Sequence, residues 1–172
     1  MADAKPIALT ADRLREVPSY DPETGVFTWR VRPSPRSRVR AGDVAGVVGP
    51  DGYRIITIEG VSYYAHRLAM LYMNGEWPEH DTDHRNLNRD NNKWGNLRAA
   101  TDQQNAANRP RIKISRSGLK GVIWYKRDQR WMARIKVNNR LIFLGYFDDP
   151  KDAHSAYFSA AERYFGEFAR AA

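Results

Sequence analysis

The chain has no cysteine among its 172 residues. That excludes disulfides and every thiolate-ligated zinc site. No apolar run reaches the roughly 18–20 residues that a membrane-spanning helix needs. The opening residues, Met1-Ala2-Asp3-Ala4-Lys5-Pro6, lack the apolar stretch of a signal peptide. These absences lead us to expect a cytoplasmic protein.

Acid is scarce in one place. From Arg109 to Phe147 there are eleven Lys and Arg against the single acid Asp128, so this segment carries +10 and the rest of the chain nets −2 of the total +8. Such asymmetry favours a polyanionic partner. A second basic run, Arg30, Arg32, Arg36, Arg38 and Arg40, is broken by Pro33 and Pro35. It reads as an arm or loop that can touch phosphates but reads bases poorly. The 42% hydrophobic content and five Trp suffice for a folded core, in one domain or two small ones.

Thr10 can cap a short helix that Pro18 ends. Val26 to Trp29 read as a strand after the turn at Asp21–Gly25. Tyr53 to Ile58, Glu59-Gly60 and Val61 to Tyr64 read as a hairpin, and Ala65 to Asn74 as a helix stopped by Gly75. Thr101 with Gln104 is a capping-box-like start for a polar helix to about Asn108. Val122 to Tyr125, Trp131 to Val137 and Leu141 to Leu144 read as three strands. Asp149-Pro150 then opens a helix whose Ala153, Ala156, Tyr157, Ala160, Ala161 and Tyr164 form one small-residue stripe. The fold class expected is α+β, with a βββα tail.

The segment Asp83-His84-Arg85-Asn86-Leu87-Asn88-Arg89-Asp90-Asn91-Asn92-Lys93-Trp94-Gly95-Asn96-Leu97 concentrates the chemistry. Phosphodiester hydrolysis needs a base for water, a cation for the phosphate and help for the leaving oxygen. His84 suits the base, because an imidazole titrates near pH ~6.5. Asp83 and the Asn96 carbonyl are hard oxygen donors, suited to Mg²⁺ or Mn²⁺ rather than zinc. In extended backbone Asp83 and His84 point to opposite faces, so a kink or turn is expected to bring both to one phosphate. His80 and His84, four apart, would make zinc ligands only on a helix. Pro78 and Thr82 argue against one, and the Glu that such a motif needs beside its first His is missing. His66 reads as a helix-capping or core-edge histidine more readily than as a ligand.

The same segment resembles the HNH nuclease motif in its phage-type form. The resemblance covers about residues 50–108 and implies a ββα-metal fold. It implies His84 as general base, Asp83 and Asn96 as metal ligands, and Asn92, or its neighbour Asn91, as the loop-holding asparagine. Tyr64-Ala65-His66-Arg67-Leu68 resembles the helix that commonly precedes the motif. Metal-dependent cleavage of DNA is the implied activity, with a host cytoplasm as its place if the chain is phage-encoded.

In the middle tail strand Arg130, Met132, Arg134 and Lys136 share one face, opposite Trp131, Ala133, Ile135 and Val137. Gly121-Val122-Ile123-Trp124, Trp131-Met132-Ala133-Arg134-Ile135, Leu144-Gly145-Tyr146-Phe147 and Ala153-His154-Ser155-Ala156-Tyr157 resemble, in order, the AP2 DNA-binding domain. That resemblance implies that the sheet reads double-stranded DNA. Ile123, Tyr125, Lys126, Arg127, Arg130, Arg134, Lys136, Arg140 and Ile142 would then face it. The domains expected are an N-terminal helix, strand and basic arm (1–49), the nuclease domain (50–108), a basic linker (109–117) and the AP2-like domain (118–172). The whole reads as a DNA endonuclease acting as a monomer or weak dimer, with no membrane partner. The competing reading is a DNA-binding regulatory or structural protein that does not cut.

Overall fold

The computed structural model describes residues 9–35, 37–109 and 116–170. The opening Met1–Pro6, Arg36 of the basic arm, and linker residues 110–115 lie outside the described residues. The chain divides into two compact units, Met1–Ala99 and Ala100–Ala172.

In the first unit, α1 (Ala11–Glu16) starts at Thr10, whose side chain accepts the Arg13 N–H. It buries Leu14. β1 (Pro18–Asp21) follows and pairs antiparallel with β2 (Val26–Trp29). β1 was not expected: Pro18 ends the helix but also begins a strand, a position where its missing N–H costs nothing. The β1–β2 turn is held by Asp21, which accepts the Glu23 N–H at 2.9 Å and the Thr24 hydroxyl at 2.8 Å.

β3 (Val47–Val48), β4 (Arg54–Ile58) and β5 (Val61–Tyr64) form a three-stranded antiparallel sheet in that order. The β4–β5 hairpin closes on Glu59-Gly60, both at positive φ (52° and 82°), as a two-residue type I′ turn requires. α2 (Ala65–Asn74) ends at Gly75 in the left-handed conformation. It turns Leu68, Ala69 and Leu71 into a core shared with Leu14, Phe27, Ile56 and Ile58. β6 (Asp81–His84) pairs with β7 (Leu97–Ala100), and residues 85–96 form the loop between them. Residues 78–84 contain no helix, and His80 is exposed, so the helical His80/His84 zinc pair does not exist.

In the second unit, α3 (Asp102–Asn108) carries the complete capping box of Thr101 and Gln104. Its Ala107 packs against Phe165 and Phe168. This helix, grouped by sequence with residues 50–108, therefore belongs to the second compact unit. β8 (Val122–Tyr125), β9 (Arg130–Val137) and β10 (Arg140–Phe147) make an antiparallel sheet in the order β10-β9-β8. α4 (Pro150–Phe165) is capped by Asp149, which accepts the Lys151 N–H at 2.7 Å. It covers one sheet face with Ala153, Tyr157 and Ala161, against Val122, Ala133 and Ile135. The expected βββα arrangement is present.

Candidate active site

The site grows from the loop between β6 and β7. Loop residues bond to their own backbone two positions on: Asn86 Oδ1 accepts the Asn88 N–H at 2.9 Å and Asn88 Oδ1 accepts the Asp90 N–H at 3.1 Å. These are Asx turns, the local alternative to secondary structure that asparagine favours. The loop opens on Leu87, at φ 64°, whose N–H returns to the His84 carbonyl at 3.0 Å. A bulky residue in that conformation is strained, and here the strain lies three residues beyond a candidate base.

His84 is buried, and its Nε2 lies 3.2 Å from Asn92 Oδ1. The other end of that amide, Nδ2, donates to the Asp90 carbonyl at 3.2 Å. The amide orientation that satisfies Asp90 presents an acceptor to His84. We therefore assign the Nε2–H tautomer, which places the ring's basic lone pair on Nδ1. Burial pulls His84 below its ordinary value of 6.5, against the opposing pull of the Asn92 bond and the Asp83 charge. The imidazole is thus neutral at pH 7, as a general base must be.

Asn92 is only 1% exposed. Its backbone carbonyl accepts the Tyr20 hydroxyl at 2.7 Å, and burial pushes that phenol well above its usual range. Gly25, at φ +76°, lies so close that an added Cβ would meet the backbone of Asn92 and Lys93. Trp94 N–H donates to the Pro22 carbonyl at 2.9 Å. On the other side, the Arg54 guanidinium forks onto both oxygens of Asp90, at 2.9 and 3.0 Å. The loop is therefore seated on the β1–β2 hairpin and pinned by β4.

Asp83 turns to a different partner. Its Oδ2 accepts from Arg98 Nε at 2.9 Å and lies 2.8 Å from Nη2, with both residues buried. β6 is a strand through both Asp83 and His84, so the kink or turn expected to bring both to one phosphate does not lie between them. The chain turns only after His84. Asn96 spends its amide inside the loop: Oδ1 accepts the Asn86 N–H at 3.1 Å and Nδ2 donates to the Asn91 carbonyl at 2.7 Å. Among the described residues no three His, Asp or Glu side chains converge on one point. Asp83 offers an anionic oxygen donor beside His84. That fits Mg²⁺ or Mn²⁺, ions held by one or two carboxylates while water and phosphate oxygens fill the rest.

His66, at the start of α2, stands edge-on to His84 with ring centroids 5.1 Å apart. Tyr53 and Tyr64 close around it at 5.0 and 5.3 Å. Burial, then the charge of His84, pulls His66 down to about 3. Its Nδ1 is buried without a hydrogen-bond partner among the described residues. His66 thus lies against His84 in the wall of this site, a place the sequence ranked below a helix-capping or core-edge role.

Residues 63–107 match the HNH endonuclease family. No curated protein and no solved structure matches the chain. The matched segment contains His84, Asp83, Asn92 and Asn96, and it begins one residue before Tyr64-Ala65-His66. The match suggests a DNA nuclease as the coarse reading of the site. Tyr20, Gly25, Arg54 and Arg98, which hold that segment in shape, carried no sequence signal beyond Arg98's place in Asn96-Leu97-Arg98. Three of the four lie outside the matched residues.

The DNA-facing set expected on the second unit splits. Ile123 and Tyr125 pair across the strands with Met132 and Arg130, so they share the face of Arg134 and Lys136, away from α4. Lys126 and Arg127 lie in the β8–β9 turn. Arg140 and Ile142 do not join them: they pair with Val137 and Ile135. Ile142 packs with Ile135, Tyr157 and Ala161 on the helix side. The two-residue turn Asn138-Asn139 sets that register, and a slip of one residue exchanges the faces. Leu141 and Phe143 occupy the outer face instead.

Proposed function

We propose that the chain hydrolyses DNA phosphodiester bonds with His84 as the general base. The observation that carries this reading is the buried His84 with Nε2 committed to Asn92, which makes Nδ1 the basic nitrogen of the ring. His84 Nδ1 takes the proton of the attacking water. Asn92 fixes the ring, and Tyr20 and Gly25 fix Asn92. Arg98 orients the Asp83 carboxylate, the residue that would hold a Mg²⁺ or Mn²⁺ ion. Such an ion supplies charge stabilisation at the phosphorus and the departing 3′ oxygen. With both amide ends engaged in the loop, Asn96 holds the loop's two ends together in this reading.

The AP2-like outer face of the second unit's sheet then holds the duplex. Arg134 and Lys136 face it, and the Lys126 and Arg127 turn reaches phosphate at its edge. Conversion of supercoiled plasmid to nicked or linear form by the full chain, with Mg²⁺ and with EDTA, tests the proposal. Cutting that requires the metal supports it. Cutting that EDTA leaves unchanged, or none in either condition, rejects it.

A further inference from the structure

The outer face of the second unit's sheet is less cationic than its sequence suggests. Arg130 is forked onto Asp148 at 2.9 and 3.1 Å, and Arg127 is paired with Asp128 at 2.8 Å. Arg134 and Lys136 are the cations of β9's outer face that carry no ion pair among the described residues. Between and beside them the face is apolar. Phe143 stands opposite Arg134, Leu141 opposite Lys136, and Ile123 and Tyr146 flank Met132. Leu141 is 61% exposed and Phe143 56%. Phe143, Tyr146 and Tyr125 form a continuous ring strip, with centroids 4.9 and 5.2 Å apart.

An apolar strip of this kind, left in water, marks a contact surface. Arg134 and Lys136 on this face, in a segment that stays basic after Asp148 offsets Arg130, favour an anionic partner. Three strands spaced about 4.8 Å apart match a major groove about 12 Å wide. The edges of bases in that groove are polar, with one exception: the 5-methyl group of thymine. A guanidinium reads guanine, whereas Leu141, Phe143 and Ile123 have only that methyl to meet. From this juxtaposition we propose that the outer face recognises duplex DNA through thymine 5-methyl groups, with Arg134 supplying a contact to guanine. The inference rests on the reading that this sheet holds the duplex.

The test selects binding sites from random 20-base-pair duplexes with the full chain in EDTA. The selected duplex is then remade with deoxyuridine in place of thymine. Fluorescence anisotropy at about 150 mM salt reads both affinities. The thymine duplex is expected to bind about 15- to 60-fold more tightly, the loss of two or three buried methyls. Phe143→Ala and Leu141→Ala, both surface changes whose folding circular dichroism checks, should each shrink that ratio. Specific duplex binding with equal thymine and deoxyuridine affinities overturns the inference and leaves the duplex reading standing. Tighter binding of the single strand, or no DNA binding, overturns both. Self-association that Phe143→Ala abolishes, with an unchanged ratio, overturns it in favour of a second copy on this face.

Discussion

Gly25→Ala tests whether the first hairpin holds the loop of Asn92 in place. Gly25 has φ +76°, a conformation that costs an alanine about 1–2 kcal/mol. The added Cβ would also press into the backbone of Asn92 and Lys93. Restoring ordinary contact requires the loop to move by about 1 Å, and a misplacement of that size costs about 100-fold in rate when it shifts a reacting group. Asn92 carries the bond to His84, so the displacement passes directly to that ring. Gly60→Ala is the control: Gly60 has φ +82° and nothing within 4 Å of its would-be Cβ. It pays the backbone strain without moving the loop. Urea unfolding should show a loss of about 1 kcal/mol for Gly60→Ala and about 2–3 kcal/mol for Gly25→Ala. Single-turnover cleavage should fall about 10- to 100-fold for Gly25→Ala and stay near wild type for Gly60→Ala. Equal rates for the two variants would refute the seating of the loop on the hairpin.

Arg98→Met leaves the buried Asp83 carboxylate without its guanidinium and should destabilise the protein by about 3–5 kcal/mol; urea unfolding checks this, and Asp83→Asn in the same chain should recover part of the loss. Asn92→Ala should lower the single-turnover rate about 10- to 100-fold while leaving DNA affinity, read by anisotropy in EDTA, near wild type. His84 is held below 6.5, so the acid limb of the pH–rate profile should fall below pH 6.5, with no loss attributable to His84 between 6.5 and 8. His66 is held down to about 3, so between about 3 and 6.5 the unfolded chain binds a proton that the folded chain does not. Stability is therefore full above 6.5 and falls as pH drops through that window, by on the order of 4 kcal/mol at its lower end. Thermal melts from pH 7 to 4 should show the decline, and His66→Phe should flatten it.

Much of the frame was readable from residue order. α2 announced itself by apolar spacing and Gly75, the β4–β5 hairpin by Glu59-Gly60, and α4 by Asp149-Pro150 and its alanine stripe. β6 and β7 were not readable, because Asp-Thr-Asp-His and Leu-Arg-Ala-Ala have neither alternation nor β-branched enrichment. Their pairing comes from tertiary context, including the Asp83–Arg98 bridge between them. The faces of β10 were misjudged at Arg140 and Ile142, although a two-residue Asn138-Asn139 turn already implies the register found.

In the site, His84 and its neighbours stood out because chemistry-bearing residues cluster in sequence there. The partners that fix them do not cluster. Tyr20 reaches Asn92 across 72 positions and Arg54 reaches Asp90 across 36. Such contacts leave no local signature. Asn92 and Asn96 were read from sequence as loop holder and metal ligand; in the structure the Asn92 amide meets His84 and the Asn96 amide ties the loop.

The central claim, that His84 is the base of a metal-dependent DNA nuclease, is tested most directly by plasmid cleavage with wild type and His84→Ala in Mg²⁺. General-base catalysis is worth about 10²–10⁴ in rate. The account predicts a loss of that size, with both proteins folded and bound to DNA. Equal cutting by the two proteins would contradict it.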